Sequence, residues 1–334
     1  MKKHLRLAAF IGVVCLGMIF VMIAFIFNNN QREQESYRIG IVIANTDRYE
    51  KIAGMKEGLV KLGFEEKREV QYVQVDFKGS RDEKVTEQHL LELKEQKPDV
   101  IVTTGAWETI SAKKVLPDVP IVFIGIASPK EWGLIQPGDL ITGIDNGQMK
   151  LIGKRMELVK MFCPSVKRML VVADRQAPLS EMAIREARKA GSQLHLQLDV
   201  QTVGTPEELA SLIRAIEPGD YQALFPLPSL LLEEAIVSSM PLLIQQKLFV
   251  VGAYPEQVKS GVFAAYGISF FEQGKQSATL VAKLLNGFAI QDLSVEIPDN
   301  VNLSVNEQSL EQVGIHLSQQ QEAIIHQRYG APVR

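Results

Sequence analysis

The chain has 334 residues, of which 46% are hydrophobic and 22% charged, and its formal net charge is −3. This composition is typical of a globular protein and excludes a wholly disordered chain. Because the net charge is slightly negative, the chain as a whole has no positive electrostatic field that would attract nucleic acid. Beyond one N-terminal apolar segment the chain is long enough for about two domains. The cysteines are Cys15 and Cys163, and since Cys15 lies inside the apolar segment, we expect no disulfide between them.

The N-terminal segment is first basic and then strongly apolar. Residues 1–6 carry three Lys or Arg side chains, and residues 7–27 carry no charge. A helix of that length would span about 31 Å, which matches a bilayer core, and the preceding basic residues would stay inside. We therefore predict a cytoplasmic tip (1–6), a transmembrane anchor (7–27) and a polar spacer (28–36). A cleaved signal peptide and lipidation at Cys15 remain alternatives, although no small-x-small cleavage site ends the segment.

From residue 37 onward, short β-branched runs alternate with amphipathic stretches, which is typical of βα units and parallel sheets. The first series of predicted elements comprises strands over 38–44, 70–76, 99–104, 121–125 and 140–144 and helices over 49–62, 82–95 and 106–115. The second series, after a break near Asp145, comprises helices over 148–162, 178–190, 206–216, 229–239 and 270–285 and strands over 167–173, 194–203, 221–226, 248–253 and 262–266. Predicted helix stops are Gly63, Gly191 and Gly287. The order predicts an α/β protein with two sheets.

Several motifs, taken together in their order and spacing, resemble a known family. They are GMKEGL at 54–59, KPDVIV at 97–102, VPIVF at 119–123, LITG at 140–143, GVFAAYG at 261–267 and EQGKQ at 272–276. Over roughly residues 38–315 the chain resembles the tryptophan-binding-like substrate-binding proteins of ABC transporters. The resemblance implies a type I periplasmic-binding fold, in which two Rossmann-like lobes joined by three crossing strands hold a small molecule between them without catalysis.

The resemblance also implies limits for the lobes. Lobe 1 is expected at 37–145 plus about 268–295, lobe 2 at 146–267 plus about 296–318, and a tail at 319–334. Family members often carry acidic residues, which meet a ligand's amino group, where this chain has Ser269 and Pro228-Ser229. These replacements argue against an ordinary amino-acid ligand.

Ligands of parallel α/β sheets bind beyond the carboxyl ends of the strands, so the loops there predict the site. The helix start after Thr103 favours an anion such as a ligand carboxylate, while Trp107 and Tyr254 offer faces for a ring. For each residue a structural role, such as capping a helix, fixing the hinge or packing in the core, is the alternative. The predicted ligand-binding residues are Asn45, Thr46, Asp47, Thr104, Gly105, Trp107, Ser128, Asp145, Tyr254, Ser269 and Phe270.

The sequence carries no motif that indicates an enzyme. The histidines have no metal-ligand spacing, and neither a Gly-x-Ser-x-Gly nor a Gly-x-Gly-x-x-Gly motif occurs. Cys163, with no histidine nearby in sequence, is interpreted as a structural thiol rather than a nucleophile. We predict no catalytic residue, metal or cofactor. The expected function is capture of an aromatic or carboxylate-bearing solute for ABC permease subunits, by a domain outside the cytoplasm; a tethered sensor that signals to a membrane kinase or cyclase is the alternative.

Overall fold

A computed structural model describes residues 36–44, 46–131, 133–298 and 300–330 of the chain. Strands and helices alternate along most of this part and build two lobes, as the sequence pattern predicts. Lobe 1 has one sheet, but lobe 2 has a three-stranded and a four-stranded sheet where the sequence predicts one. The predicted anchor (7–27), the tip, most of the spacer and Cys15 lie outside the described residues. Within the described ranges, no helix has both the length and the apolarity that a membrane crossing requires.

Lobe 1 is built around a five-stranded parallel sheet. Its elements are β1 (Tyr37–Ile43), α1 (Tyr49–Lys61), β2 (Val70–Asp76), α2 (Glu83–Glu95), β3 (Val100–Thr103), α3 (Ala106–Val115), β4 (Ile121–Ile126), β5 (Ile141–Asp145) and α10 (Phe270–Leu285). The strand order is β2-β1-β3-β4-β5. The central strands are nearly continuous apolar runs because helices cover both faces of the sheet. Met55 and Val281 are buried on the face that α1 and α10 cover, and Leu90 and Ala112 on the face that α2 and α3 cover.

Lobe 2 contains two groups of strands that share one core. Its elements are α4 (Ile152–Phe162), β6 (Arg168–Asp174), α5 (Ser180–Gln193), β7 (Gln197–Val203), α6 (Pro206–Arg214), β8 (Ala223–Pro226), α7 (Leu230–Ser238), α8 (Met240–Gln245), β9 (Val251–Gly252), α9 (Pro255–Lys259), β10 (Ala264–Gly267), β11 (Asn302–Asn306), α11 (Glu307–Gln312), α12 (Gln319–Glu322) and β12 (Gln327–Tyr329). The groups are ordered β7-β6-β8 and β12-β11-β10-β9, and only β10 and β11 pair antiparallel among these strands. A bridge between Ala223 and Phe249 joins the two groups.

The chain crosses between the lobes three times. It leaves lobe 1 between β5 and α4, returns between β10 and α10, and leaves again before β11. Just before that last crossing, Glu296 pairs with Ile144 at the edge of the lobe 1 sheet. Short 3-10 turns occur at Thr46–Arg48, directly before α1, and at Ile290–Asp292.

Two sequence expectations need correction. Gly191 does not stop its helix, since α5 continues to Gln193. A Cβ at Gly191 would lie 2.5 Å from the side chain of Leu198, so this glycine lets α5 pack closely against β7. Residues 319–330, predicted as a tail, instead add α12 and β12 to lobe 2, with β12 paired to β11.

Candidate ligand-binding site

The two lobes meet through a buried ion pair. Arg48, which closes the 3-10 turn after β1, donates to the carboxylate of Glu233 in the first turn of α7, with an N–O distance of 3.0 Å. The two side chains are only 12% and 16% exposed. Since β1 and β8 direct their carboxyl ends to these two residues, the pair marks the edge where a ligand of such a fold would lie.

An aromatic pair lies beneath this ion pair. The rings of Tyr254 and Phe270 are 4.6 Å apart between centroids, and the guanidinium of Arg48 lies 4.6 Å above the Phe270 ring. The side-chain amide of Asn146 donates to the Tyr254 hydroxyl at 3.0 Å. Burial raises the pKa of Tyr254 well above its ordinary value, and the negative charge of Glu233 adds to this effect, so the ring keeps its phenol proton. The cleft therefore combines both charges with two flat rings.

Lobe 1 contributes a buried lysine that donates two hydrogen bonds within the lobe. Lys51 Nζ donates to the carbonyl oxygens of Thr104 (2.7 Å) and Ile124 (2.6 Å). Burial, assisted by the positive charge of Arg48, lowers the pKa of Lys51 to about 7. Lys51 therefore ties α1 to the ends of two strands.

The predicted anion site at the start of α3 is occupied by the protein itself. Glu108 is 3% exposed, and its Oε1 accepts from Thr104 Oγ1 (2.7 Å) and from the backbone N–H of Ala44 (3.1 Å). The carboxylate lies beside Gly105, where an added Cβ would be 3.0 Å from Glu108 Oε2. A ligand carboxylate at this helix start would meet a like charge, so Thr104 and Gly105 are better described as holding Glu108.

The remaining predicted residues divide into two groups. Tyr254 and Phe270 lie in the cleft, and exposed Thr46 and Asp47 lie beside Arg48 in the same turn. Asn45 is outside the described residues.

The second group has structural partners. Asp145 accepts from the backbone N–H groups of Ser128 (3.2 Å) and Gly147 (2.9 Å), which fixes the first crossing, and burial raises the pKa of its carboxyl group. Ser269 caps α10 by accepting from the N–H of Glu272. Trp107 packs against the lobe 1 core on the sheet face that α2 and α3 cover.

Sequence reasoning missed the charged residues of the cleft. They are Arg48, Lys51, Glu108, Arg155 and Glu233. A signal for two of them exists, because Lys51 and Arg155 stand within the apolar stripes of α1 and α4 and are 1% and 3% exposed. A charge on the buried face of a helix needs a partner and so points to a network or a site.

In the described ranges, no three His, Cys, Asp or Glu side chains are grouped so that they could hold a metal ion. Burial raises the pKa of Cys163 to about 11, which keeps this thiol protonated and unreactive at neutral pH.

The chain is similar to proteins of known class. Residues 38–327 match the family described as ABC transporter substrate binding protein. A tyrosine-binding protein of Clostridioides difficile (strain R20291) is 22% identical over 294 residues, which cover 85% of this chain and 83% of that protein. A conserved domain protein of Vibrio cholerae superposes with a TM-score of 0.78 at 21% identity, covering 88% of this chain and 100% of that one.

A further solved structure, an ABC domain from Streptococcus pneumoniae in complex with L-Trp, superposes with a TM-score of 0.77 at 16% identity, over 88% of this chain and 100% of that one. These structures share the two-lobed fold, and the family match spans most of the chain. The resemblance predicted from the sequence motifs is thereby confirmed: the chain belongs to the ABC transporter substrate-binding protein family.

Proposed function

We propose that this protein captures an aromatic amino acid, or a molecule of similar chemistry, between its lobes and presents it to the permease subunits of an ABC importer. The observation that carries the proposal is the ion pair of Arg48 and Glu233 over the ring of Phe270. A zwitterionic ligand with a ring carries a positive charge, a negative charge and a flat surface. Arg48, Glu233 and Phe270 supply the same three features where they now fill the cleft. The working cycle is binding, closure and release, without a chemical step.

Two further points support this ligand class. One relative is named for binding tyrosine, and one structural neighbour holds L-Trp. The loss of acidic residues at Pro228-Ser229 and Ser269 argues against an ordinary amino acid. Glu233 can supply the missing carboxylate, because it follows Ser229 by four residues at the start of α7 and its side chain lies in the cleft.

A thermal-shift screen of the intact chain tests the proposal. We expect L-tyrosine or L-tryptophan to raise the melting temperature, because a ligand at 100 times its Kd adds about 2.7 kcal/mol to the free energy of unfolding. Sugars and nucleosides serve as controls from other solute classes. A shift with a sugar or nucleoside, and none with any amino acid, would contradict the proposed ligand class.

We also propose that the protein is attached to the membrane and works with ABC permease subunits. Residues 7–27 would hold the binding domain at the outer face of the membrane, which predicts an uncleaved N-terminus in the membrane fraction by mass spectrometry. Neighbouring genes for a permease and an ATPase would support import, whereas a kinase or cyclase gene there would favour the sensing alternative.

A further inference from the structure

A small cavity lies in lobe 2, beside the ion pair of the cleft. Its volume is about 10 Å³, roughly the room for one water molecule. Pro226, Leu232 and Ala253 form apolar walls, and the polar lining includes Gln148, Arg155 and Glu233. A wider depression of about 400 Å³ between β7 and α6 faces solvent at the sheet edge, and its charged lining residues, Glu207 and Glu208, are both exposed, so we assign it no role.

Gln148 is the unusual member of this cavity. It is 1% exposed, yet neither its amide nitrogen nor its amide oxygen has a hydrogen-bond partner. Gln257, in the same cavity, has partners at both ends: its oxygen accepts from the N–H groups of Ala253 and Tyr254, and its nitrogen donates to the Glu233 carbonyl. Leaving a buried polar group without a hydrogen bond destabilises a folded protein, so the two unpaired groups of Gln148 indicate a partner that is absent from the empty protein.

The charges around Gln148 indicate what would satisfy it. Arg155 is 3% exposed and donates to the carbonyl oxygens of Tyr266 (2.8 Å) and Ala253 (3.5 Å). Within the described ranges it has no carboxylate oxygen within 4.0 Å, and burial lowers its pKa to about 10. Glu233 supplies the opposite charge, and its present partner is Arg48 of lobe 1. The cavity thus presents a cation, an anion and an amide with one donor side and one acceptor side.

We propose that Gln148, Arg155 and Glu233 form the subsite that recognises the α-ammonium and α-carboxylate groups of an amino-acid ligand. The Gln148 N–H and Arg155 donate to the carboxylate, while the Gln148 oxygen and Glu233 accept from the ammonium. The inference rests on the proposed function and adds to it the positions of the two charged groups. In the empty protein, Arg48 holds the place on Glu233 that the ligand ammonium takes, so the lobes must part before the ligand enters.

A zwitterion fits this subsite better than a simple anion or a simple cation. A carboxylic acid without an amino group would satisfy Arg155 and the Gln148 N–H but would leave the amide oxygen unpaired. An amine without a carboxylate would leave the Gln148 N–H and the Arg155 guanidinium without an acceptor on the ligand. The unpaired ends of Gln148 therefore select for ligands that carry both groups.

The test uses Gln148→Leu in the intact chain, with L-tyrosine and L-tryptophan as probes in isothermal titration calorimetry. Replacing an unpaired buried amide by an apolar side chain of similar size should leave the ligand-free protein as stable as before or more stable. The variant should nevertheless bind the probe about ten to a hundred times more weakly, because it loses hydrogen bonds to charged groups. Gln193→Leu, an exposed position in α5, is the matched control and should bind like wild type.

A second measurement needs only the wild-type protein. Tyramine lacks the carboxylate and 3-(4-hydroxyphenyl)propanoate lacks the amino group, and each should bind at least tenfold more weakly than L-tyrosine. Equal affinity of Gln148→Leu and wild type, or equal affinity for tyrosine and both analogues, would overturn the subsite while leaving ligand capture intact. No binding of either probe by the wild type would instead contradict the proposed function and the subsite with it.

Discussion

At the scale of single residues, Glu256 is a buried acid that makes stability depend on pH. Its Oε1 accepts from the N–H of Phe270 at 2.8 Å, and its Oε2 is buried without a partner in the described structure. Burial raises the pKa of Glu256 above its ordinary value of 4.5, despite the opposing backbone hydrogen bonds. The folded state therefore binds more protons than the unfolded state above that pH, and stability falls as pH rises through the folded-state pKa.

Glu256→Gln removes this titration and keeps an acceptor for the Phe270 N–H. We expect the free energy of unfolding of the variant, relative to wild type, to be higher at pH 7.5 than at pH 4. Urea denaturation at the two pH values measures the difference. The same relative stability at both values would show that the carboxyl group does not titrate differently in the folded state.

Single residues were the hardest part of the site to predict. Tyr254 and Phe270 follow strand ends, and that rule alone placed them near the cleft. Arg48 and Glu233 carry no comparable signal, because their partnership joins positions 185 residues apart and depends on how the lobes meet. Thr104 and Gly105 were expected to receive an external anion, and no local pattern reveals that Glu108 folds back to fill that place.

At the scale of elements, close packing of α1 against α10 holds lobe 1 together. Added Cβ atoms at Gly54 and Gly274 would lie 1.9 Å from the Phe271 carbonyl oxygen and 1.8 Å from the Lys51 carbonyl oxygen. Both obstacles are backbone atoms, which cannot turn aside as a side chain can. Glycine is therefore required where the two helices approach each other.

Gly274→Ala should lower the free energy of unfolding by about 1–3 kcal/mol or more, because the helices must separate to admit the methyl group. Gly153→Ala in α4 is the matched control, since its Cβ would have ordinary contact at 3.7 Å from the Ala190 Cβ. There the substitution should leave the free energy of unfolding unchanged or raise it by less than about 0.5–1 kcal/mol, because that gain applies to the middle of a helix and Gly153 is the second residue of α4. Equilibrium denaturation measures the change in the free energy of unfolding for both variants. Equal changes would show that α1 and α10 can move apart without cost.

The spacing of apolar residues, together with turn residues, predicted most of the longer elements. A strand or helix that packs on a core places apolar residues at a regular interval, which can be read from the sequence. The short elements α9, α11 and β12 have five, six and three residues, too few for a period to be read. Gly191 shows another limit: the sequence alone does not distinguish a glycine that ends a helix from one that admits a neighbouring side chain.

At the scale of the whole molecule, the ion pair of Arg48 and Glu233 is the buried charge contact between the lobes. The other ion pair between the lobes in the described ranges, Lys259 with Glu50, is exposed and 3.8 Å long, so it contributes little. Closing the empty cleft without Arg48 would bury the Glu233 carboxylate unpaired. Removing one partner of a buried pair costs about 3–5 kcal/mol, and opening the cleft avoids that cost by returning the carboxylate to water.

Arg48→Met keeps much of the side-chain volume and removes the charge, so we expect it to shift the ligand-free protein towards an open arrangement. Small-angle X-ray scattering should then give a larger radius of gyration than for wild type. Arg48→Lys retains the charge and should remain closer to wild type. An unchanged radius of gyration in Arg48→Met would mean that the hinge and the aromatic contact of Tyr254 with Phe270 hold the lobes together without the ion pair.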